Sequence, residues 1–71
     1  MDKKTIGTNA GIIWNLLNNG QKWNCKKLME DSGLSEREVL MAIGWLARED
    51  KIEFETCPDG SECYYLIINY F

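Results

Sequence analysis

A mostly helical α+β domain, three helices followed by a two- or three-stranded antiparallel layer built on a hairpin, is what this sequence predicts. Three observations carry the prediction. Apolar residues recur at helical spacing over the first eighteen positions; a serine and a glutamate three residues apart open a second amphipathic segment at Ser35; and charged and apolar residues alternate from Lys51 into a turn and a Tyr/Ile-rich run. The 71 residues leave room for one domain, residues 1–71, close to the size at which a single core becomes marginal without help.

The first helix is predicted over Thr5 to Asn18. Ile6, Ala10, Ile13 and Leu17 make one stripe, bordered by Trp14 and widened by Ile12 and Leu16 beyond the arc a surface helix normally buries. Asn19-Gly20 ends it, glycine supplying a left-handed cap. Gln21 to Asn24 has length only for an extended connector or a one-rung strand. A short second helix follows over Cys25 to Asp31, with Asn24 as N-cap and Leu28 and Met29 inward. Ser32-Gly33-Leu34 breaks the pattern. Ser35-Glu36-Arg37-Glu38 is a capping box that starts the third helix, which runs to about Arg48 with Val39, Ala42, Ile43 and Leu46 on one face. Asp50 stands at its exit, where a left-handed residue is expected.

Lys51 to Cys57 reads as a strand with one buried face, Pro58 to Glu62 as a five-residue turn, and Cys63 to Phe71 as the return strand. Pairing outward from such a turn sets Cys57 opposite Cys63, Glu55 opposite Tyr65 and Glu53 opposite Ile67, with Thr56, Phe54 and Ile52 meeting Tyr64, Leu66 and Ile68 on the core face. The expected core is therefore Ile6, Ile13, Leu17, Leu28, Leu34, Val39, Ile43 and Leu46, closed by Ile52, Phe54, Leu66 and Ile68.

Composition narrows the function classes. There is no histidine, so imidazole-based nucleophilic catalysis is excluded; the carboxylates fall on alternating strand positions rather than converging, and the glycines form no phosphate loop. No catalytic residue, cofactor or small-molecule ligand is expected. The three cysteines, Cys25, Cys57 and Cys63, match no zinc spacing, so no metal is expected either. Two reduced thiols flanking the turn, and a cytoplasmic location, are the simpler expectation for a chain whose Met1-Asp2-Lys3-Lys4 leads straight into an amphipathic helix. No apolar run approaches the roughly 20 residues that cross a bilayer, so no membrane association is expected. Charge is divided unevenly: residues 1–27 carry five lysines against Asp2, whereas residues 28–71 carry three cations against ten carboxylates. A polyanion would be welcomed at one end only.

Two short helices joined by a glycine turn, the second opened by a capping box and followed at once by a hairpin, resemble the winged helix-turn-helix fold. The stretch Ser32 to Val39 and the run Ala42 to Ile52 carry the likeness, and the chain is most similar to a small bacterial family of stand-alone winged-helix proteins of uncharacterised function. The resemblance implies that the Ser35 helix is the recognition helix and Pro58 to Glu62 the tip of the wing. It implies double-stranded DNA as a partner and a role in transcription regulation, with Lys22, Lys26, Lys27, Ser35 and Arg37 as the contacting residues. The wing tip holds Asp59 and Glu62, and Glu36 and Glu38 flank Arg37, a departure from the cations a DNA reader places there. The alternative is a protein-interaction module. On a helical projection Arg37, Met41, Gly44, Trp45 and Arg48 fall within about 100° opposite the core face, which makes Met41, Trp45 and Arg48 candidate contact residues. Tyr65, Ile67 and Phe71 share the outer face of the hairpin, and with the wide apolar arc of the first helix they suggest a homodimer.

Overall fold

The computed structural model describes residues 1–67 and has the order α1 (Lys3–Leu17), β1 (Trp23–Asn24), α2 (Cys25–Ser32), α3 (Glu36–Arg48), β2 (Ile52–Thr56) and β3 (Glu62–Leu66). Ile68 to Phe71, including the expected core residue Ile68 and the contact candidate Phe71, lie outside the described residues.

Each helix begins where a side chain can take up a free backbone N–H. Asp2 accepts from the Thr5 amide at 2.8 Å, which starts α1 two residues earlier than its apolar stripe suggests. Asn24 accepts from the Lys27 amide at 2.8 Å. At α3 the box is complete: Glu38 N–H donates to Ser35 Oγ at 3.2 Å and Ser35 N–H donates to Glu38 Oε1 at 2.9 Å. The exits differ. Gly33 caps α2 with φ +76° and donates its N–H to the Met29 carbonyl, and Asp50 takes φ +57° after α3. The left-handed Gly20 is not the cap of α1 as expected; Asn18 is, and Gly20 lies in the turn beyond it.

The helices enclose a core of Ala10, Ile13 and Leu17 from α1, Leu28 from α2, and Val39, Ala42, Ile43 and Leu46 from α3. Ile6 and Leu34 are only half-buried. The sheet closes one side in the order β1-β3-β2, antiparallel throughout, with Trp23 opposite Tyr64 and Asn24 opposite Cys63. The connector is thus a real strand, and the sheet brings Trp23, Tyr64 and Ile52 into the core.

The hairpin register differs from expectation by two residues. Ile52 pairs with Leu66, Glu53 with Tyr65, Phe54 with Tyr64, Glu55 with Cys63 and Thr56 with Glu62. The cause is the turn. Gly60 N–H donates to the Cys57 carbonyl and Cys57 N–H to the Ser61 carbonyl, so the loop is only Pro58-Asp59-Gly60, with Gly60 at φ +89°. A three-residue loop ending in a left-handed glycine is a common hairpin solution, and Asp59 reinforces it by accepting from both the amide and the hydroxyl of Ser61. A slip of two preserves which residues share a face, yet it shortens the buried part: of β2, only Ile52 is buried. The slip pairs Phe54 with Tyr64 instead of Leu66, and Phe54, expected in the core, is 43% exposed, its ring set edge to face with that of Tyr64 at 5.5 Å between centroids. Cys57 and Cys63 become diagonal neighbours with Cα atoms 5.7 Å apart and are joined as a disulfide, where two reduced thiols were expected.

Candidate functional site

The five residues expected to meet DNA are not equally free. Lys22, beside β1, is ion-paired with Glu55 on β2 and stands over the Tyr65 ring at 5.6 Å. The carboxylate partner pushes its pKa up, so it stays charged and engaged. Ser35 is spent on the capping box. Lys27 is exposed, though its ammonium lies 5.5 Å from the Trp23 ring centroid. Lys26 and Arg37 are exposed. Glu38, drawn onto the Ser35 amide and hydroxyl, is held below the usual carboxylate range and so remains an anion one residue from Arg37. Asn9 on α1 is buried, and its side-chain Nδ2 finds no hydrogen-bond partner among the described residues.

The other candidate surface is more continuous. Met41 and Trp45, one turn apart on the outer face of α3, are 40% and 37% exposed, and Arg48 follows on the same face. Leu40, which the helical projection did not single out, is 46% exposed at the other edge of that face, about 100° round the helix from Met41. The run Val39-Leu40-Met41 held the signal: three apolar residues in succession cannot all face one core across a 3.6-residue turn. Exposed Gly44 has no neighbour within 4 Å of where a Cβ would lie, which leaves the surface low at its middle. Towards α1 the Trp45 ring lies over Gly7, and between the helices runs a groove of 370 Å³ walled by Gly7, Gly11, Trp14, Trp45 and Lys51.

Of the hairpin candidates, Tyr65 and Ile67 are half-buried, and Lys22 covers the Tyr65 ring. Cys25 is half-buried at the start of α2, and burial pushes its thiol pKa up, the condition of an unreactive cysteine. Among the described residues no cluster of His, Cys, Asp or Glu is arranged to hold a metal, and no helix is long and apolar enough to cross a membrane.

The comparisons with known proteins agree with this architecture. The chain is similar to the uncharacterized protein MJ1608 of Methanocaldococcus jannaschii, 49% identical over 49 residues that cover 66% of this chain and 70% of that one. It is similar to the NMR structure of protein BT2368 from Bacteroides thetaiotaomicron, with a TM-score of 0.82 and 38% identity, covering 93% of this chain and 79% of that one. The relatives thus include an archaeal protein beside a bacterial one, wider than the bacterial family the sequence resembles. Residues 1–66 match the model described as "Winged helix-turn-helix domain (DUF2582)", and the chain belongs to that winged-helix family.

Proposed function

We propose that this winged helix is a non-enzymatic protein-contact module that uses the outer face of α3 as its binding surface. The observation that carries this is the exposure of Leu40, Met41 and Trp45 together on the face where a DNA reader presents polar side chains to base edges. An apolar centre rimmed by Arg37 and Arg48 has the composition of a protein interface. The electrostatics agree: Glu36 and Glu38 border the start of α3, Asp59 occupies the wing tip with Glu62 opening β3 beyond it, and Lys22 is paired with Glu55. Each carboxylate near a phosphate opposes binding at low salt.

The second reading is a DNA-binding transcription regulator. Exposed Lys26, Lys27 and Arg37 on the two helices of the motif favour it, since three phosphate contacts would give salt-dependent binding. A titration with mixed-sequence duplex at about 50 mM and then about 200 mM salt separates the two, because phosphate-dominated binding weakens steeply over that range. The proposal expects no saturable binding at the lower salt. Tight binding that disappears when Lys26, Lys27 and Arg37 are all changed to alanine overturns it in favour of the regulator.

A cytoplasmic location is part of the same proposal. The Cys57–Cys63 disulfide weighs against it, since such bonds are rare in reducing compartments. Alkylation of the protein in rapidly quenched cells, read by mass, decides the point: two blocked thiols at the wing support the cytoplasm, and none contradicts it.

A further inference from the structure

We propose that the partner is a second copy of the chain, with the wing of each protomer seated in the α1/α3 groove of the other, whose Trp45 wall borders the outer face of α3. This rests on the protein-contact reading and goes beyond it by naming the occupant.

The wing and the groove carry complementary groups. Phe54 stands exposed on the sheet face that also carries Tyr64 and Glu62, with Glu62 one step along the ladder and Asp59 at the tip. The inserted side of the wing is therefore an aromatic ring beside carboxylates. The groove offers aromatic walls from Trp14 and Trp45, open space over Gly11, and the cation Lys51 in its lining, while Arg48 stands with Glu49 in the adjoining hollow against Trp45. Lys51 both lines the groove and leads into β2, so Phe54 lies three residues, about 10 Å along the strand, from the groove of its own chain. Two complementary patches side by side on one protomer let a single twofold axis satisfy both at once, which gives a closed dimer rather than a filament.

The competing self-pairing, edge to edge through β2, is disfavoured by the strand itself. Antiparallel pairing of β2 with its copy centred on Phe54 sets Glu53 opposite Glu55 twice, and like charges on an edge are a device against such association.

The test is sedimentation of the full chain between about 1 and 100 µM, alone and as charge-reversed variants. Wild type is expected to pass from monomer to dimer with concentration. R48E and E62K, each confirmed folded by circular dichroism, are expected to weaken the dimer by at least about tenfold, since each sets like charges together at both ends of the twofold contact. Mixed in equal amounts, the two variants are expected to regain the dimer. The carboxylate introduced beside the groove of one protomer then meets the ammonium introduced on the wing of the other, while the native Arg48 and Glu62 remain paired on the opposite side. Phe54→Ser, on the exposed part of the wing, supplies an independent loss of the dimer should a charge variant fail to fold. A wild type that stays monomeric, a dimer indifferent to these changes, or singles that are not rescued by mixing overturns the proposal. A monomer that also ignores DNA removes self-pairing alone and leaves the protein-contact reading standing, so the two failures are distinguishable.

Discussion

The indole of Trp45 lies over Gly7, so that a methyl added at Gly7 would meet Cζ2 of the ring at 3.6 Å, an ordinary van der Waals distance. Gly7 lies in the interior of α1, where glycine costs about 0.8–1.0 kcal/mol relative to alanine. Gly7→Ala is therefore expected to raise the melting temperature, and calorimetry checks it. A lower melting temperature would mean that the Trp45 ring cannot accept that contact. Gly11→Leu, at a position where a Cβ has no neighbour within 4 Å, is expected to leave the helix intact while filling the groove, and so to abolish self-association in sedimentation without loss of helical signal.

Acid should loosen the starts of two helices and the wing tip. Asp2 and Glu38 are held below their ordinary values chiefly by backbone N–H groups of Thr5 and Ser35, and Asp59 by the Ser61 hydroxyl. A depressed carboxyl contributes its stability in full above the unfolded-state value and loses it as pH falls through the folded one, so the loss lies below the ordinary 4.5 of Glu38 and 3.8 of the aspartates. Melting temperatures from about pH 7 to about pH 2 should fall in that acid window, and Glu38→Gln, which keeps an acceptor without the charge, should flatten part of the slope. An unchanged slope in that variant would remove Glu38 from the explanation.

Much of the fold was legible because it was written in short-range chemistry. The Ser35 box, the Asn24 cap and the left-handed Asp50 are decided within a few residues, and all three stand as expected. The hairpin register was not legible, because Pro58-Asp59-Gly60-Ser61-Glu62 is compatible with a five-residue or a three-residue loop. The choice rests on Gly60 turning left-handed while Asp59 bonds Ser61. Burial of Trp23 depended on β1 joining β3, a contact distant in sequence that no local pattern announces. At the site, the exposed Met41 and Trp45 followed from helical geometry. The loss of Lys22 to Glu55 is a long-range pairing that only the folded sheet creates.

Ser35→Ala removes the hydroxyl that caps α3 and should destabilise the protein by about 1 kcal/mol, within the usual 0.5–2 for such a cap. Urea denaturation followed by tryptophan fluorescence measures it. A change within error would show that Glu38 and water replace the hydroxyl completely.

Leu28 is the fully buried residue of α2, with Cys25 and Met29 packed against the core beside it. Leu28→Ala is expected to cost about 2–5 kcal/mol, a large share of the stability of so small a domain, and to yield a chain mostly unfolded at about 37 °C or close to it. A cost below about 1 kcal/mol, read from the same urea titration, would mean that α2 contributes little to the core.

The central claim, that the outer face of α3 meets protein and not DNA, is tested most directly by one residue-resolved map: amide NMR spectra of the labelled chain, first on dilution and then with mixed duplex added. The account predicts concentration-dependent shifts at Leu40, Met41, Gly44 and Trp45, at Gly7 and Gly11, and along Phe54 to Glu62, with no further change on adding DNA. Spectra unchanged by dilution, followed by duplex-induced shifts centred on Lys26, Lys27 and Arg37, would contradict it.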